Sequence, residues 1–280
     1  MKKIAVLPTL LTLGNGVCGF AAIVCASQIG RGDVVGDATL FALGGWLIVA
    51  AMLFDGLDGY VARLTKTASK FGGELDSLCD VVSFGVAPAY LILQLGPGGD
   101  AHPYMSRVLA AVAVLYLVCA ILRLARFNVT SNTPDPAAHK RFQGLPSPGA
   151  AGCLASLAIL RGELPRKLAL YWPDADPTWL GTSVLRTVES WALIGGLGVA
   201  LLMVSQIPYP HVTKNILRGK RHFGHLMQII LAAFVLLLMQ ELALVLLFWI
   251  YALAMPLNFV IVRQLRRKHL ATPRTVGSGQ

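Results

Sequence analysis

Apolar residues along this chain fall in long runs, and its polar residues cluster in short segments between them. A membrane-spanning helix needs about 20 predominantly apolar residues, each advancing about 1.5 Å along the axis. Eight stretches fit that description, at about 9–29, 38–62, 74–96, 105–127, 146–162, 189–206, 225–240 and 242–263. The last two share one apolar run, interrupted by Gln240 and Glu241. The pattern predicts an all-α, polytopic membrane protein of about eight transmembrane helices over residues 1–268, with a disordered tail at 269–280. The stretch 162–188 carries Pro165, Pro173, Pro177, Trp172 and Trp179. Proline breaks helices and tryptophan favours the membrane interface, so a surface-lying connection is expected there.

Composition agrees with the pattern. The chain is 55% hydrophobic and 14% charged, against about 25% charged in soluble domains. The net charge of +10 would point to nucleic acid in a soluble protein. Here its placement matters more. With eight spans, 18 of the 24 Lys and Arg residues collect on the side that carries both termini. Basic loops stay inside, so both termini are expected in the cytoplasm, and no nucleic-acid partner is expected. Met1-Lys2-Lys3 resembles the start of a leader, but no small-residue cleavage site follows, and the first span is read as retained. Cys18, Cys25, Cys79, Cys119 and Cys153 lie in or beside apolar segments without CxxC spacing, which fits small buried apolar residues.

The chemistry concentrates in a few acidic residues. Of 14 in the chain, four are aspartates that fall within 26 residues, Asp55, Asp58, Asp76 and Asp80. Ionisable groups inside a membrane are costly and therefore usually functional. Spacings of three and four put each pair on one helix face. A basic, glycine-containing turn between them makes the two helices antiparallel, with both pairs at a depth of about 10 Å. Four ionised carboxylates at one level repel, and either protonation or cations must relieve them. Hard oxygen ligands suit Mg²⁺ or Mn²⁺, and four carboxylates suffice for two ions, an arrangement that serves in-line phosphoryl chemistry. Glu74 and Lys70 fall off the shared face and are read as rim residues. Gly56, Gly59, Ala62, Gly72 and Gly73 leave backbone bare for a ligand, or equally let helices pack closely. Arg63 is placed to hold a phosphate through paired hydrogen bonds. An ion pathway is the rival use for intramembrane carboxylates, but these lie near one surface and no matching broken spans are evident.

The motif D-x-x-D-G-x-x-A-R, eight residues, then G-x-x-x-D-x-x-x-D is filled by Asp55, Asp58, Gly59, Ala62, Arg63, Gly72, Asp76 and Asp80. In this the chain resembles the CDP-alcohol phosphatidyltransferases. Four further stretches resemble the serine-using branch of that superfamily. They are Pro8 to Phe20, Phe71 to Pro88, Arg123 to Asn128 with Phe142 to Pro148, and Met203 to Pro210. The likeness covers most of residues 4–215, taken as the catalytic core, and is weak in 162–188 and the C-terminal third.

The resemblance implies transfer of a phosphatidyl group from CDP-diacylglycerol to the hydroxyl of L-serine, with CMP leaving. It implies Asp55, Asp58, Asp76 and Asp80 as ligands of divalent metal, with Asp80 also the general base. Gly59, Ala62, Arg63 and Gly72 would frame the CDP group, with Thr12 and Asn15 near the cytidine. It further implies a homodimer in the bacterial inner membrane, with a cytoplasmic site among membrane lipids. For the acceptor, Arg123 and Arg126 share a helix face, where either grips a carboxylate or snorkels to the interface, and Asn128 adds polar contacts. Lys140 and Arg141 contact lipid phosphate or face water. A sister enzyme using glycerol phosphate, inositol phosphate or choline is the alternative, and a carboxylate-lined transporter is the alternative of another class.

Overall fold

A computed structural model describes residues 6–31, 34–65, 69–96, 103–131, 144–171, 177–207 and 240–271, and all its regular structure is helical. The helices are α1 (Val6–Gln28), α2 (Val34–Leu64), α3 (Lys70–Asp80), α4 (Ala87–Leu95), α5 (Pro103–Ser131), α6 (Ser147–Tyr171), α7 (Pro177–Val204) and α8 (Gln240–Ala271). A π-helical segment, Val81–Val86, joins α3 to α4. Among the described residues six stretches are long and apolar enough to cross a membrane, with α3 to α4 counting as one. The chain is therefore an integral membrane protein. The span expected at 225–240 lies outside the described residues apart from Gln240.

α6 occupies the centre. Nearly every residue from Leu145 to Leu160 is buried, and α2, α4, α7 and α8 all contact it. Its first turns read Ser-Pro-Gly-Ala-Ala-Gly-Cys. That composition is too weakly apolar to face lipid, but its small side chains let neighbouring backbones come close. At Gly45 an added Cβ would lie 2.7 Å from the Ala155 carbonyl oxygen, and at Gly162 it would lie 2.7 Å from the Ala42 amide. α2 and α6 thus touch backbone to backbone at two levels. Two apolar clusters form around α6. One takes in Phe41, Ile48, Phe84 and Leu91, and the other Ile92, Tyr116, Val199 and Met203.

The 162–188 connection departs from expectation. α6 runs on to Tyr171 with Pro165 inside it, and α7 starts at Pro177. Proline is well suited to a first helical position, which accounts for the latter. The α6 extension is held by charges that the sequence pattern assigns to a loop. Arg161 pairs with Glu189 at 3.2 Å, Arg166 with Glu163 at 3.0 Å, and Lys167 with buried Glu241 of α8. Arg161 also lies over the Phe41 ring, 4.6 Å from its centroid. These partners fix the extra turns to α2, α7 and α8. At the other end of the chain, α8 continues to Ala271, into the segment expected to be tail.

Candidate active site

Three helices build the site. α1 turns one stripe inward, Thr12, Asn15, Gly19, Ala22 and Ala26. The spacing of three and four is that of a single helix face. Its polar end meets the carboxylates, and its small end packs into the bundle. α2 carries Asp55 and Asp58 near its last turns, and α3 carries Asp76 and Asp80. The Ser69 hydroxyl caps α3 by accepting from the Gly72 amide at 3.0 Å, satisfying one of the unpaired donors of that helix end.

Asp55, Asp76 and Asp80 each bring a carboxylate oxygen within 4.8 Å of the others. Asp58, expected at the same level, is not one of this group, and its Oδ2 accepts a 2.6 Å hydrogen bond from the Thr12 hydroxyl. Asp80 Oδ1 accepts from Asn15 Nδ2 at 3.0 Å. Asp76 Oδ1 is buried without a hydrogen-bond partner. A buried acceptor left unpaired is costly, and converging negative charges add to that cost. A hard divalent cation relieves both, and every donor in the cluster is a carboxylate oxygen, so the residues fit such an ion.

Beside the cluster lies an open cavity of about 260 Å³, walled by Thr12, Asp58, Gly59, Ala62, Arg63, Gly72, Gly73 and Asp76, with Pro8, Thr9 and Ser69. The structure therefore brings the small residues and Arg63 of the motif to one concavity against two of its carboxylates. Nothing lies within 4 Å of a Cβ built on Gly56 or Gly73, so their surfaces are open. Glu74 and Lys70 are exposed, as expected of rim residues.

The remaining candidates divide. Arg123 is half-buried, donates from Nη1 to the Ser147 hydroxyl at 2.6 Å, and has a buried Nε without a partner. Asp80, Asp55, Tyr116 and Tyr251 are its electrostatic neighbours. Arg126 is exposed. Asn128 donates to the Ser77 hydroxyl at 2.9 Å, tying α5 to α3. Asn15 is fully buried and takes no part in the cavity wall. Lys140 and Arg141 lie outside the described residues. Ser83 and Ser147 lie in stretches that carry the resemblance, yet nothing in their spacing announced that they hold Asn15 and Arg123.

Carboxylates from two membrane helices beside an arginine-edged cavity define a membrane protein with an acidic, cation-suited site. The chain belongs to the CDP-alcohol phosphatidyltransferase family, whose profile matches residues 5–181. Membership makes it an enzyme of phospholipid biosynthesis. Relatives named CDP-diacylglycerol–serine O-phosphatidyltransferase include one from Helicobacter pylori strain J99, 40% identical over 207 residues, covering 74% of this chain and 73% of the relative. Another, from Methanocaldococcus jannaschii, is 32% identical over 216 residues, covering 77% and 79%. A third, from Saccharomyces cerevisiae, is 36% identical over 155 residues, covering 53% and 51%.

Proposed function

We propose that this enzyme transfers the phosphatidyl group of CDP-diacylglycerol to the hydroxyl of L-serine, giving phosphatidylserine and CMP. The observation that carries the proposal is the contact between the cavity and the carboxylate cluster. Asp58 and Asp76 wall the cavity, and Asp76 also meets Asp55 and Asp80. A pyrophosphate lying against Gly59, Ala62 and Gly72 would therefore have its reacting phosphorus beside the acidic group. The names of the relatives support CDP-diacylglycerol and serine as the substrates.

Asp55, Asp58, Asp76 and Asp80 would hold Mg²⁺ or Mn²⁺, as two ions. When bound, such ions neutralise pyrophosphate charge and the charge that develops in the transition state. The protein's own groups do the rest. Arg63 at the cavity edge grips a phosphate oxygen through its forked donors. Asp80 takes the proton of the serine hydroxyl as that oxygen forms its bond to phosphorus. The bond from phosphorus to the CMP oxygen breaks, and CMP carries the negative charge away. Arg123, an electrostatic neighbour of Asp80 with an unpaired Nε, binds the serine carboxylate. Arg126, Asn128, Lys140 and Arg141 act further out, on the acceptor or on lipid phosphate. Thr12 contacts the nucleotide side of the cavity through the wall it forms.

The distribution of Lys and Arg supports eight spans with cytoplasmic termini. In that orientation the site would face the cytoplasm, and in a bacterial inner membrane serine and CMP would exchange with water there while both lipids stay in the bilayer. A catalytic core of about 4–215 and a homodimer complete the proposal. The test supplies purified protein, CDP-diacylglycerol and Mn²⁺ or Mg²⁺ with serine, glycerol 3-phosphate, inositol phosphate or choline in turn, and measures CMP. Release with serine alone is expected. Release with another acceptor reassigns the substrate, and no release with any of them ends the proposal.

A further inference from the structure

Two side chains of α1, Thr12 and Asn15, donate to carboxylates of the acidic motif. Asn15 is the clearest case. It is 0% exposed, donates from Nδ2 to Asp80 Oδ1 at 3.0 Å, and leaves its own Oδ1 buried without a partner. A buried carbonyl without a donor is unfavourable. Turning the carboxamide over would not help, because its oxygen would then face the Asp80 carboxylate and the two acceptors would repel. Asp80's need for a donor therefore dictates the orientation of Asn15.

A second contact fixes where Asn15 sits. The Ser83 hydroxyl donates to the Asn15 backbone carbonyl at 2.9 Å. Such a bond reaches α1 from the π-helical segment that begins directly after Asp80. One turn along, Gly19 packs on Ser83 so closely that an added Cβ would lie 2.6 Å from the Ser83 Cα. The backbone of α1 and the π-helical turn are thus held in one register at the level of Asp80. Side chains that orient a catalytic or metal-binding group from behind are commonly as consequential as the group itself.

We infer that Asn15 is a positioning residue whose carboxamide holds one oxygen of Asp80, leaving the other oxygen for the acceptor hydroxyl and for the shared acidic centre. The role is distinct from contact with the cytidine, since Asn15 is walled off from the cavity. It rests on the proposed part of Asp80 in the reaction.

The test uses the full chain in lipid nanodiscs, with Asn15→Leu and with Asn15→Ala, which removes the carboxamide without adding bulk. Turnover, KM for CDP-diacylglycerol and Mn²⁺ affinity by calorimetry are measured for each. Loss of a group of this kind is expected to lower kcat and Mn²⁺ affinity by about 10- to 100-fold, with KM for the CDP-lipid little changed. A raised KM for the CDP-lipid at retained kcat would overturn the inference by making Asn15 a nucleotide contact. Wild-type kcat and Mn²⁺ affinity in the alanine variant would overturn it as well. Asp80→Asn serves as the separate control. Near-normal turnover in that variant removes Asp80 from the mechanism, and so distinguishes failure of the underlying reaction from failure of the positioning role.

Discussion

Arg123 and Arg126 are three residues apart on α5, yet Arg123 turns into the bundle and Arg126 is exposed. The spacing alone left both as candidates for the acceptor carboxylate. Burial and the unpaired Nε single out Arg123. Lysine keeps the charge at this position but loses the planar fork. Hydrogen bonds between charged groups contribute about 1.5–3 kcal/mol, so Arg123→Lys is expected to raise KM for serine about tenfold or more, with KM for CDP-diacylglycerol nearly unchanged. Steady-state kinetics with each substrate varied in turn checks this. The carboxylates themselves were legible in the sequence, because charge within apolar runs is conspicuous and the three- and four-residue spacings fix their faces. Their hydrogen-bond partners were not. Thr12 and Asn15 were expected near the cytidine, and only the crossing of α1 over α2 and α3 shows Thr12 donating to Asp58 and Asn15 to Asp80.

Helix contact explains a second contrast, between glycines of one helix. Gly45 lies against the backbone of α6, whereas Gly56 has open space around it. Gly45→Leu forces side-chain atoms into the Ala155 carbonyl and Ile159. Overpacking of this kind costs about 1–3 kcal/mol, and thermal unfolding in detergent should show a clear loss of stability. Gly56→Ala meets nothing and should shift stability by no more than about 0.5 kcal/mol in the same measurement. The sequence offered Gly56 as a packing or ligand position and did not single out Gly45, and periodicity cannot separate the two uses, since each needs only a missing side chain. Periodicity did locate α1, α2, α5 and the α3–α4 span within a few residues. It missed the π-helical segment after Asp80, where a local change of winding leaves no compositional trace. It also missed the α6 extension, whose stability comes from ion pairs to helices remote in sequence.

For the molecule as a whole, the acidic centre joins α2 to α3, so a cation bound there would act on the fold as well as on the reaction. A ligand at about 100 times its Kd stabilises the native state by about 2.7 kcal/mol. Treatment with a strong chelator is therefore expected to abolish CMP release and lower the unfolding temperature together, and added Mg²⁺ or Mn²⁺ to restore both. Full activity in the chelator would sink the proposed use of metal. The other whole-molecule feature is the seating of α8 on the central helix. Phe248 lies against Gly152, Trp249 Nε1 donates to the Cys153 carbonyl at 3.2 Å, and Glu241 pairs with Lys167. α8 lies beyond the region matched by the family profile, yet it shields backbone and charge on α6 from hydrocarbon. A chain truncated after its recognisable motifs would keep every carboxylate of the motif and still lose the cover that α8 gives to its innermost helix. In this protein the minimal enzyme is larger than the minimal motif.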